Sequence, residues 1–385
     1  MVGAGVVGLS VAWQLATRGV AVTVWDAGHP GGGASGRAHG QVVPPAAALV
    51  PLWRESLRLY QELAEMGEFG WDRRPIGTLV LAWTPDELDL LGGRDGTGDG
   101  RRLDGAAVRE LEPAVSQDVA GGLALPEGRR IDPTLVVATL ALAARRAGAS
   151  LRTGEPVVDL VPAGERGWRL VTAGGLVADH RAVVLAAGAG TAALAGRAGR
   201  NLPIVGVRGR ILLTEPLPPL LGRLLADCRL GTATALAAAR PFLGTLRGPN
   251  DHRPSVALLA HQRADGRVVL GASWSPDGDG DPGDHRDLDA RIARNALNRL
   301  PGLADARIER TWSGVRPCSP DGRPVVGRVA PGLYVCCGHG GEGFIAGPGT
   351  ASLLADLVLH RPPYTDPRPF SADRFLSTDA QGAAS

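Results

Sequence analysis

The sequence contains no lysine, and all 41 of its basic residues are arginines. A lysine Schiff base, a lysine general base and a lysine that assists oxygen chemistry are therefore excluded. Positive and negative charges nearly balance at a net charge of +2, which favours neither nucleic acid nor an anionic membrane surface as a partner. The 385 residues are enough for two or more hydrophobic cores.

Cysteine is scarce, with Cys228, Cys318, Cys336 and Cys337 making up the whole set. They form neither a C-x-x-C motif nor a metal-binding spacing with histidine, so we expect no disulfide and no metal site. The acidic segment 277–289 misses the spacing of a calcium loop, which predicts a solvated loop there. No apolar run reaches the roughly 18 residues of a membrane span and no signal peptide is evident, which favours a cytoplasmic protein.

The chain opens on a G-x-G-x-x-G motif made by Gly3, Gly5 and Gly8. Residues 9–17 predict the helix that follows, residues 20–25 predict a second strand, and Asp26 ends that strand. Glycines at these positions allow a tight turn, a close approach of the backbone to a pyrophosphate, and close packing of helix on strand. The order of elements therefore predicts a dinucleotide-binding unit, with the phosphates at the helix N-terminus and a ribose on Asp26.

The strand expected before Gly3 is reduced to Met1 and Val2, whereas an ordinary strand has about five or six residues. This strand is central to the sheet of a dinucleotide-binding fold. We therefore expect the natural start to lie several codons upstream, or the N-terminus to be trimmed.

A second strand–loop–helix pattern lies near the C-terminus, at residues 333–337, 338–349 and 350–359. It creates another helix N-terminus behind a glycine-rich loop, more than 300 residues from the first. A dehydrogenase that binds NAD alone does not need such a site. A flavin does, because reduction places negative charge on the pyrimidine end of its ring, where a helix N-terminus stabilises it.

With these segments, GASGRAHG, IDPTLVVATL, PIVGVRGR and WSGVRPCSPDGRPVVG complete an ordered set along the chain. The chain resembles the D-amino-acid oxidase superfamily, in the branch with glycine oxidase, D-amino-acid dehydrogenases and sarcosine oxidases. The resemblance implies an α/β fold in which a Rossmann-type FAD-binding domain is interleaved with a substrate domain built on a large mixed β-sheet. The implied boundaries are 1–50, 130–206 and 308–365 for the FAD-binding domain, 51–129 and 207–307 for the substrate domain, and 366–385 for a loose tail.

The resemblance also implies a set of residues that bind non-covalent FAD. At the AMP and pyrophosphate end these are Gly3, Gly5, Val6, Val7, Gly8, Asp26, Ala34, Ser35, Gly36, Arg37, Gly40, Gln41, Val158, Ala187 and Gly188. At the flavin end they are Gly338, His339, Gly340, Gly341, Glu342, Gly343 and Phe344. Cys318 lies too close to Asp321 to match the cysteine that sarcosine oxidases bond to their flavin.

Three residues are candidate catalytic residues. Arg316 falls on the family's arginine that holds the substrate carboxylate through two parallel hydrogen bonds, although pairing with Asp321 is the structural alternative. His39 lies in the loop expected near the flavin, and His261 lies two residues beyond Leu259 on a strand where related oxidases often carry tyrosine. For both histidines, a purely structural role is the competing interpretation.

The implied reaction is hydride transfer from the α-carbon of an amino acid or related amine to flavin N5, followed by hydrolysis of the imine. One alternative is a dehydrogenase that reduces a quinone or a partner protein instead of oxygen. Another is an electron-relaying subunit of a heteromeric complex. A nicotinamide-linked flavin reductase or monooxygenase should show a second G-x-G-x-x-G βαβ unit or a Gly-Asp motif before the last helix, and we find neither in the sequence. Either a homo-oligomer or an electron-accepting partner is compatible with the sequence.

Overall fold

The computed structural model describes residues 1–67, 69–89, 91, 97–164, 167–228, 255–276 and 285–375. Its helices are α1 Val6–Ala16, α2 Val50–Glu65, α3 Pro85–Asp89, α4 Gly105–Leu111, α5 Pro133–Arg146, α6 Thr191–Arg197, α7 His285–Arg299 and α8 Gly343–Val358. Its strands are β1 Thr23–Asp26, β2 Gln41–Val42, β3 Thr78–Ala82, β4 Arg101–Asp104, β5 Gly121–Leu125, β6 Arg129–Arg130, β7 Ser150–Thr153, β8 Val157–Pro162, β9 Trp168–Thr172, β10 Val177–His180, β11 Val183–Leu185, β12 Val205–Pro216, β13 Leu224–Asp227, β14 Ser255–Gln262, β15 Arg267–Pro276, β16 Ile308–Cys318, β17 Val325–Ala330 and β18 Leu333–Cys337.

A parallel sheet forms the nucleotide-binding half of the fold. Its order is β7, β1, Val2, β11 and β18, with β17 antiparallel at the edge. Val2 joins the two halves of this sheet by bridging Trp25 on one side and Leu185 on the other. The Val2 amide donates to Val184 O at 2.9 Å, and the Gly3 amide donates to Trp25 O at 2.8 Å. The predicted short strand is thus present, and its few backbone hydrogen bonds hold the sheet centre together.

Helices α1, α2 and α8 pack together over this sheet. The side of α2 that carries Leu52, Leu59 and Leu63 is fully buried, as its helical spacing predicts. The closest approach is at Gly349 of α8, where an added Cβ would overlap the carbonyl oxygen of Leu52. Tyr60 strengthens the same contact by donating to Phe344 O at 2.7 Å. None of the helices in the described ranges is long and apolar enough to cross a membrane.

The second half is built on an eight-stranded mixed sheet, in the order β16, β12, β15, β14, β13, β3, β5 and β4. One face of this sheet is covered by α7, whose Ile292 and Ala296 are buried in one core with Leu79 and Leu258. The opposite face looks toward the nucleotide-binding half. A smaller antiparallel sheet of β8, β9 and β10 flanks the parallel sheet. The predicted combination of a Rossmann-type unit and a large mixed sheet is confirmed.

The domain boundaries stay a prediction, but sheet and core membership differ from them in two places. Strand β16 pairs with β12 along its length, so residues 308–318 belong to the large sheet and not to the nucleotide-binding half. Helix α2 shares its core with α1 and α8, so residues 50–65 pack on the nucleotide-binding half. Both differences arise from contacts between segments far apart in sequence, which composition does not encode.

Three loop predictions also need correction. Helix α8 begins at Gly343, so residues 343–349 of the loop predicted at 338–349 are helical. Residues 285–289, placed in a solvated acidic loop, begin α7. Residues 366–375, placed in a loose tail, form two short 3-10 turns that bury Phe370 and Ala372, and Arg374 pairs with Asp321 at 2.8 Å. The remaining parts of the acidic loop and of the tail lie outside the described residues.

The close contact at Gly349 gives a test of the fold. Gly349→Ala should lower the free energy of unfolding by about 2 kcal/mol or more, because backbone atoms of α2 cannot yield to the added methyl group. Urea unfolding at one saturating FAD concentration measures the change. Gly196→Ala is the matched control, since Gly196 lies in helix α6 with open space around its Cβ position and its replacement should be neutral or slightly stabilising. Equal stabilities of the two variants would contradict this packing.

Candidate active site

A cavity of about 1400 Å³ lies between the two halves of the fold. It is bounded by residues that directly follow parallel strands: Ala27 after β1, Ala186 after β11 and Gly338 after β18. Its other wall is the face of the eight-stranded sheet that α7 does not cover, and this wall includes Ile211, Leu259 and Arg316. Ligands of open α/β sheets bind at the carboxyl ends of the strands, and this cavity has that position.

At one end of the cavity, the backbone turns sharply into α1. Gly3 has φ +108°, and a Cβ there would overlap the carbonyl of Ala186, so the turn requires glycine. Gly5 is the N-cap of α1, and the amide of Val6 donates to Ser35 Oγ at 3.0 Å. Asp26 holds the turn in place, because its Oδ2 accepts from the Ala4 amide at 2.6 Å and its Oδ1 from the Gly28 amide at 2.8 Å.

At the other end, the loop after β18 leads into α8. Gly338 and Gly340 have φ +76° and +56°, which carry the chain around the turn to the N-cap of α8 at Glu342. His339 is buried in this turn, and its Nε2 is 2.8 Å from Thr350 Oγ1. Desolvation lowers the pKa of His339 to about 3, so this side chain is neutral and serves the turn. The start of α8 therefore faces the cavity with a loop that is itself firmly packed.

The structure brings nearly all of the predicted cofactor residues to this cavity. Those that line it are Gly3, Gly5, Val6, Val7, Asp26, Ala34, Ser35, Arg37, Gly40, Gln41, Val158, Ala187, Gly188, Gly338, His339, Gly340, Gly341, Glu342, Gly343 and Phe344. Gly8 and Gly36 do not. A Cβ on Gly8 would overlap Gly3 O and one on Gly36 would overlap Gly31 O, so these two glycines allow close packing behind the lining.

The lining suits FAD in shape and in charge. Gly33, Gly188 and Gly341 have open space where a side chain would be, which leaves their backbone accessible to a ligand. The N-termini of α1 and α8 both face the cavity, and each offers unsatisfied amides and a partial positive charge. A diphosphate at α1 and an electron-rich ring at α8 would each be stabilised there.

Arg316 lies half-buried in the cavity wall. Its Nη1 donates to Ser273 O at 3.0 Å, and its guanidinium lies 5.2 Å from the ring centre of Trp274. No carboxylate of the described part of the chain forms an ion pair with it. The alternative pairing with Asp321 is wrong, because Asp321 is bound by Arg374 instead. Burial lowers the pKa of Arg316, which nevertheless retains its charge.

Gly209 explains why the guanidinium can reach this position. Strands β12 and β16 place Val207 opposite Arg316 and Gly209 opposite Gly314. The Arg316 side chain crosses β12 over Gly209, where an added Cβ would overlap the guanidinium. A residue missed by sequence reasoning therefore provides the space for a predicted one.

The two candidate histidines form a pair at the cavity wall. His39 lines the cavity, and its Nε2 is 3.0 Å from Leu259 O, whereas His261 is buried and does not line it. Their ring centres are 4.9 Å apart in an edge-on arrangement. Desolvation lowers the pKa of His39 to about 3 and also lowers that of His261. Both are therefore neutral at physiological pH, and their catalytic roles stay predictions.

Sequence reasoning missed the residues that form the floor of the cavity. Val80 from β3, Leu125 from β5 and Ala226 from β13 all line it. Strand β3 is buried on both faces, so no alternation of polar and apolar residues marks its cavity side. Only the strand order of the large sheet reveals their position.

The chain belongs to the DAO family of FAD dependent oxidoreductases, since the sequence pattern of that family matches residues 1–357. It is 30% identical to glycine oxidase of Geobacillus kaustophilus over 98% of this chain and 96% of that protein. It is 28% identical to D-amino acid dehydrogenase of Methylobacterium nodulans, with 98% of each chain covered. The crystal structure of the Geobacillus glycine oxidase matches with a TM-score of 0.80 and 27% identity over 96% of both chains. The predicted family, FAD cofactor and oxidoreductase class are confirmed.

The contacts of Asp26 give a test of the cofactor end. Asp26→Ala should weaken FAD binding by about 10- to 100-fold, because the turn loses two charge-assisted hydrogen bonds and the ribose loses an acceptor. Titration of apoprotein with FAD, followed by quenching of flavin fluorescence, measures the dissociation constant. The control is Asp179→Ala, which removes an exposed carboxylate paired with Arg169 outside the cavity. Affinities within twofold of each other for the two variants would count against the role of Asp26.

Proposed function

We propose that this FAD-dependent oxidoreductase oxidises the C–N bond of an amino acid or a related amine that carries a carboxylate next to the reacting carbon. The observation that carries this proposal is the half-buried guanidinium of Arg316, which has no carboxylate partner among the described residues and lines the cavity. An arginine in such a place is costly unless an anion completes its site.

Arg316 is built to hold its ligand in one orientation. One guanidinium nitrogen is held by Ser273 O, and the plane is supported by the ring of Trp274. The remaining N–H groups form a rigid fork that matches a carboxylate through two parallel hydrogen bonds. Because the group is desolvated, these bonds gain strength from the low local dielectric. A substrate anchored in this way presents its α-carbon in a fixed position, which is a large part of catalysis by orientation.

The reaction needs little from the protein beyond this orientation. A hydride leaves the α-carbon and a proton leaves the nitrogen, so that the C–N single bond becomes a C=N bond. FAD, when bound in this cavity, would supply the two-electron acceptor that this hydride requires. Water then adds to the imine, and a carbonyl compound and an amine or ammonia are released.

No strong base is required when the amine binds in its neutral form, and the described cavity wall agrees with this. His39 has a pKa near 3, because burial outweighs its hydrogen bond to Leu259 O, so it is a weak proton acceptor. Gln41 contributes a buried Oε1 that has no hydrogen-bond partner among the described residues, while its Nε2 donates to Ala260 O at 2.9 Å.

The names of the relatives support a C–N substrate but differ in the electron acceptor that they imply. One is called an oxidase of glycine and another a dehydrogenase of D-amino acids. The rate at which air reoxidises the reduced protein separates an oxidase from a dehydrogenase or from a subunit that relays electrons. We propose a small-molecule amine substrate and a cytoplasmic location. A second copy of the chain or an electron-accepting protein is a further proposed partner.

The FAD is held without a covalent bond in this proposal. The thiols that line the cavity are Cys318, Cys336 and Cys337. Burial raises the pKa of Cys318 to about 11 and that of Cys336 to about 12, so both stay protonated and unreactive near neutral pH. Trichloroacetic acid precipitation should therefore release all of the flavin into the supernatant.

Replacement of Arg316 tests the proposed role directly. Arg316→Met should lower kcat/KM for the best carboxylated substrate by 100-fold or more, because the substrate loses two charge-assisted hydrogen bonds. Steady-state kinetics measures this loss, with FAD occupancy checked by absorbance. Arg310→Met is the matched control, since Arg310 lies on the same strand but packs on Trp312 outside the cavity.

A second variant keeps Arg316 and changes only Gly209, the residue over which its side chain lies. Gly209→Ala should also lower kcat/KM, since the guanidinium must move away from the added methyl group. If Arg316→Met and Arg310→Met had equal activity, the carboxylate-binding role of Arg316 would be wrong.

A further inference from the structure

The cavity that Arg316 lines also has a part of its wall formed by apolar side chains, which we call the compartment. The compartment is defined here by Leu49, Val80, Leu125, Ala226, Leu259 and Ile211, all of which line the cavity. It lies over the eight-stranded sheet on the face opposite to α7. A ligand held by its carboxylate at Arg316 would have this compartment available for the rest of the molecule.

Strand register explains the shape of the compartment floor. Val80 pairs with Ala226, Ala226 with Leu259, and Leu259 with Gly271, so these residues form one row across β3, β13, β14 and β15. Residues in one row of paired strands point to the same face of the sheet. In this row Leu259 lies between Ala226 and Gly271, and the His39 ring lies over Gly271, so Leu259 is the largest side chain that the row itself contributes.

A pair of histidines holds the backbone at Leu259 in place. The carbonyl oxygen of Leu259 is 3.0 Å from Nε2 of His39, and the His39 ring packs on His261 and lies 3.1 Å from the Cβ position of Gly271. A Cβ at residue 271 would be in unusually tight contact with the His39 ring, which would have to shift slightly. The histidine pair thus fixes the backbone from which Leu259 projects.

The polar groups beside the compartment are already engaged by the protein. Thr78 Oγ1 donates to Glu127 O at 3.1 Å. The carboxylate of Asp227 accepts from Trp83 Nε1 and from the Leu258 amide, each at 2.6 Å, and Arg299 lies 3.4 Å away. Burial nevertheless raises the pKa of Asp227. A polar or charged substrate side chain would therefore lose its hydration without gaining a partner among these groups.

We propose that this compartment binds an apolar side chain on the substrate's α-carbon, and that Leu259 sets the length of side chain that fits. The preferred substrate class is thus an α-amino acid with an aliphatic or aromatic side chain, in preference to glycine. This inference rests on the proposed function, since it assumes that Arg316 holds the carboxylate. Each methylene group that enters the compartment should raise kcat/KM roughly fourfold until the space is filled.

Two series of compounds test the proposal on the FAD-loaded wild-type protein. The first is glycine, alanine, norvaline, leucine and phenylalanine, with both enantiomers where they exist, and with lysine and glutamate as charged counterparts. The second is acetate, propionate, butyrate and isovalerate, which carry the carboxylate and the chain but no reacting amine. Their binding is followed as a change in flavin absorbance, which does not depend on turnover. We expect kcat/KM and carboxylate affinity both to rise with chain length, and the charged amino acids to be poor substrates.

Leu259→Phe tests the role of this residue. The ratio of kcat/KM for leucine to that for glycine should fall at least tenfold, because the larger ring occupies the space of the substrate side chain. Leu142→Phe is the matched control, since Leu142 is an exposed leucine on α5 and the ratio should be unchanged there. If Leu259→Phe does not fold, the carboxylate series on the wild-type protein still decides the question.

The outcomes separate the inference from the function on which it rests. If glycine is the best substrate and chain length changes neither kcat/KM nor carboxylate affinity, the apolar compartment has no role in recognition, while the proposed function stands. If no amino acid reduces the flavin and no carboxylate perturbs its spectrum, the proposed function itself fails. If lysine or glutamate is preferred, the compartment binds polar side chains and the inference is overturned.

Discussion

The half-buried charge of Arg316 is the constraint on which the active-site half of the structure depends. A guanidinium without a carboxylate partner is tolerated only where backbone and aromatic groups support it and where a ligand completes it. Here Ser273 O, the ring of Trp274 and the bare backbone at Gly209 provide that support. Each of these groups comes from a different point along β12 or β15, so the long register between β12, β15 and β16 is what assembles the site. The large sheet is therefore more than a scaffold, because its register determines where a carboxylate can bind.

The cofactor half depends on a different constraint, the close approach of backbone at two helix N-termini. Gly3 lies against the carbonyl of Ala186, and the short segment of residues 1–3 joins strands β1 and β11. The first helix starts directly from this contact, and the second starts from the loop that His339 and Thr350 hold. Together they place two partial positive charges along one cavity, which suits a cofactor with a diphosphate near one end and a reducible ring at the other. Membership of the FAD-dependent family agrees with this arrangement.

Much of the cofactor site could be predicted from the sequence, because the residues that form it are required by the backbone close to them along the chain. The glycines at 3, 5 and 8, the acid at 26 and the turn at 338–343 are needed by the backbone within a few residues of where they occur, so spacing reveals them. Arg316 is identified because the motif around it, at residues 312–327, resembles that of the family. The features that escaped prediction all depend on distant pairings: Gly209 beneath Arg316, the row from Val80 to Leu259, and the packing of residues 366–375 by way of Arg374 and Asp321. His261 shows the same limit. The alternation of side chains along a strand places it on the same face as Leu259, but it does not reveal that the His261 ring packs against the ring of His39.

Anaerobic reduction of the bound flavin tests the central claim most directly. The FAD-loaded protein is mixed with an amino acid, and separately with the amine that has the same side chain but lacks the carboxylate, while the flavin absorbance near its visible maximum is followed. If Arg316 orients the substrate by its carboxylate, the amino acid should bleach the flavin at least 100-fold faster than the matched amine. Equal rates for the two compounds, or no bleaching by any amino acid, would contradict the account.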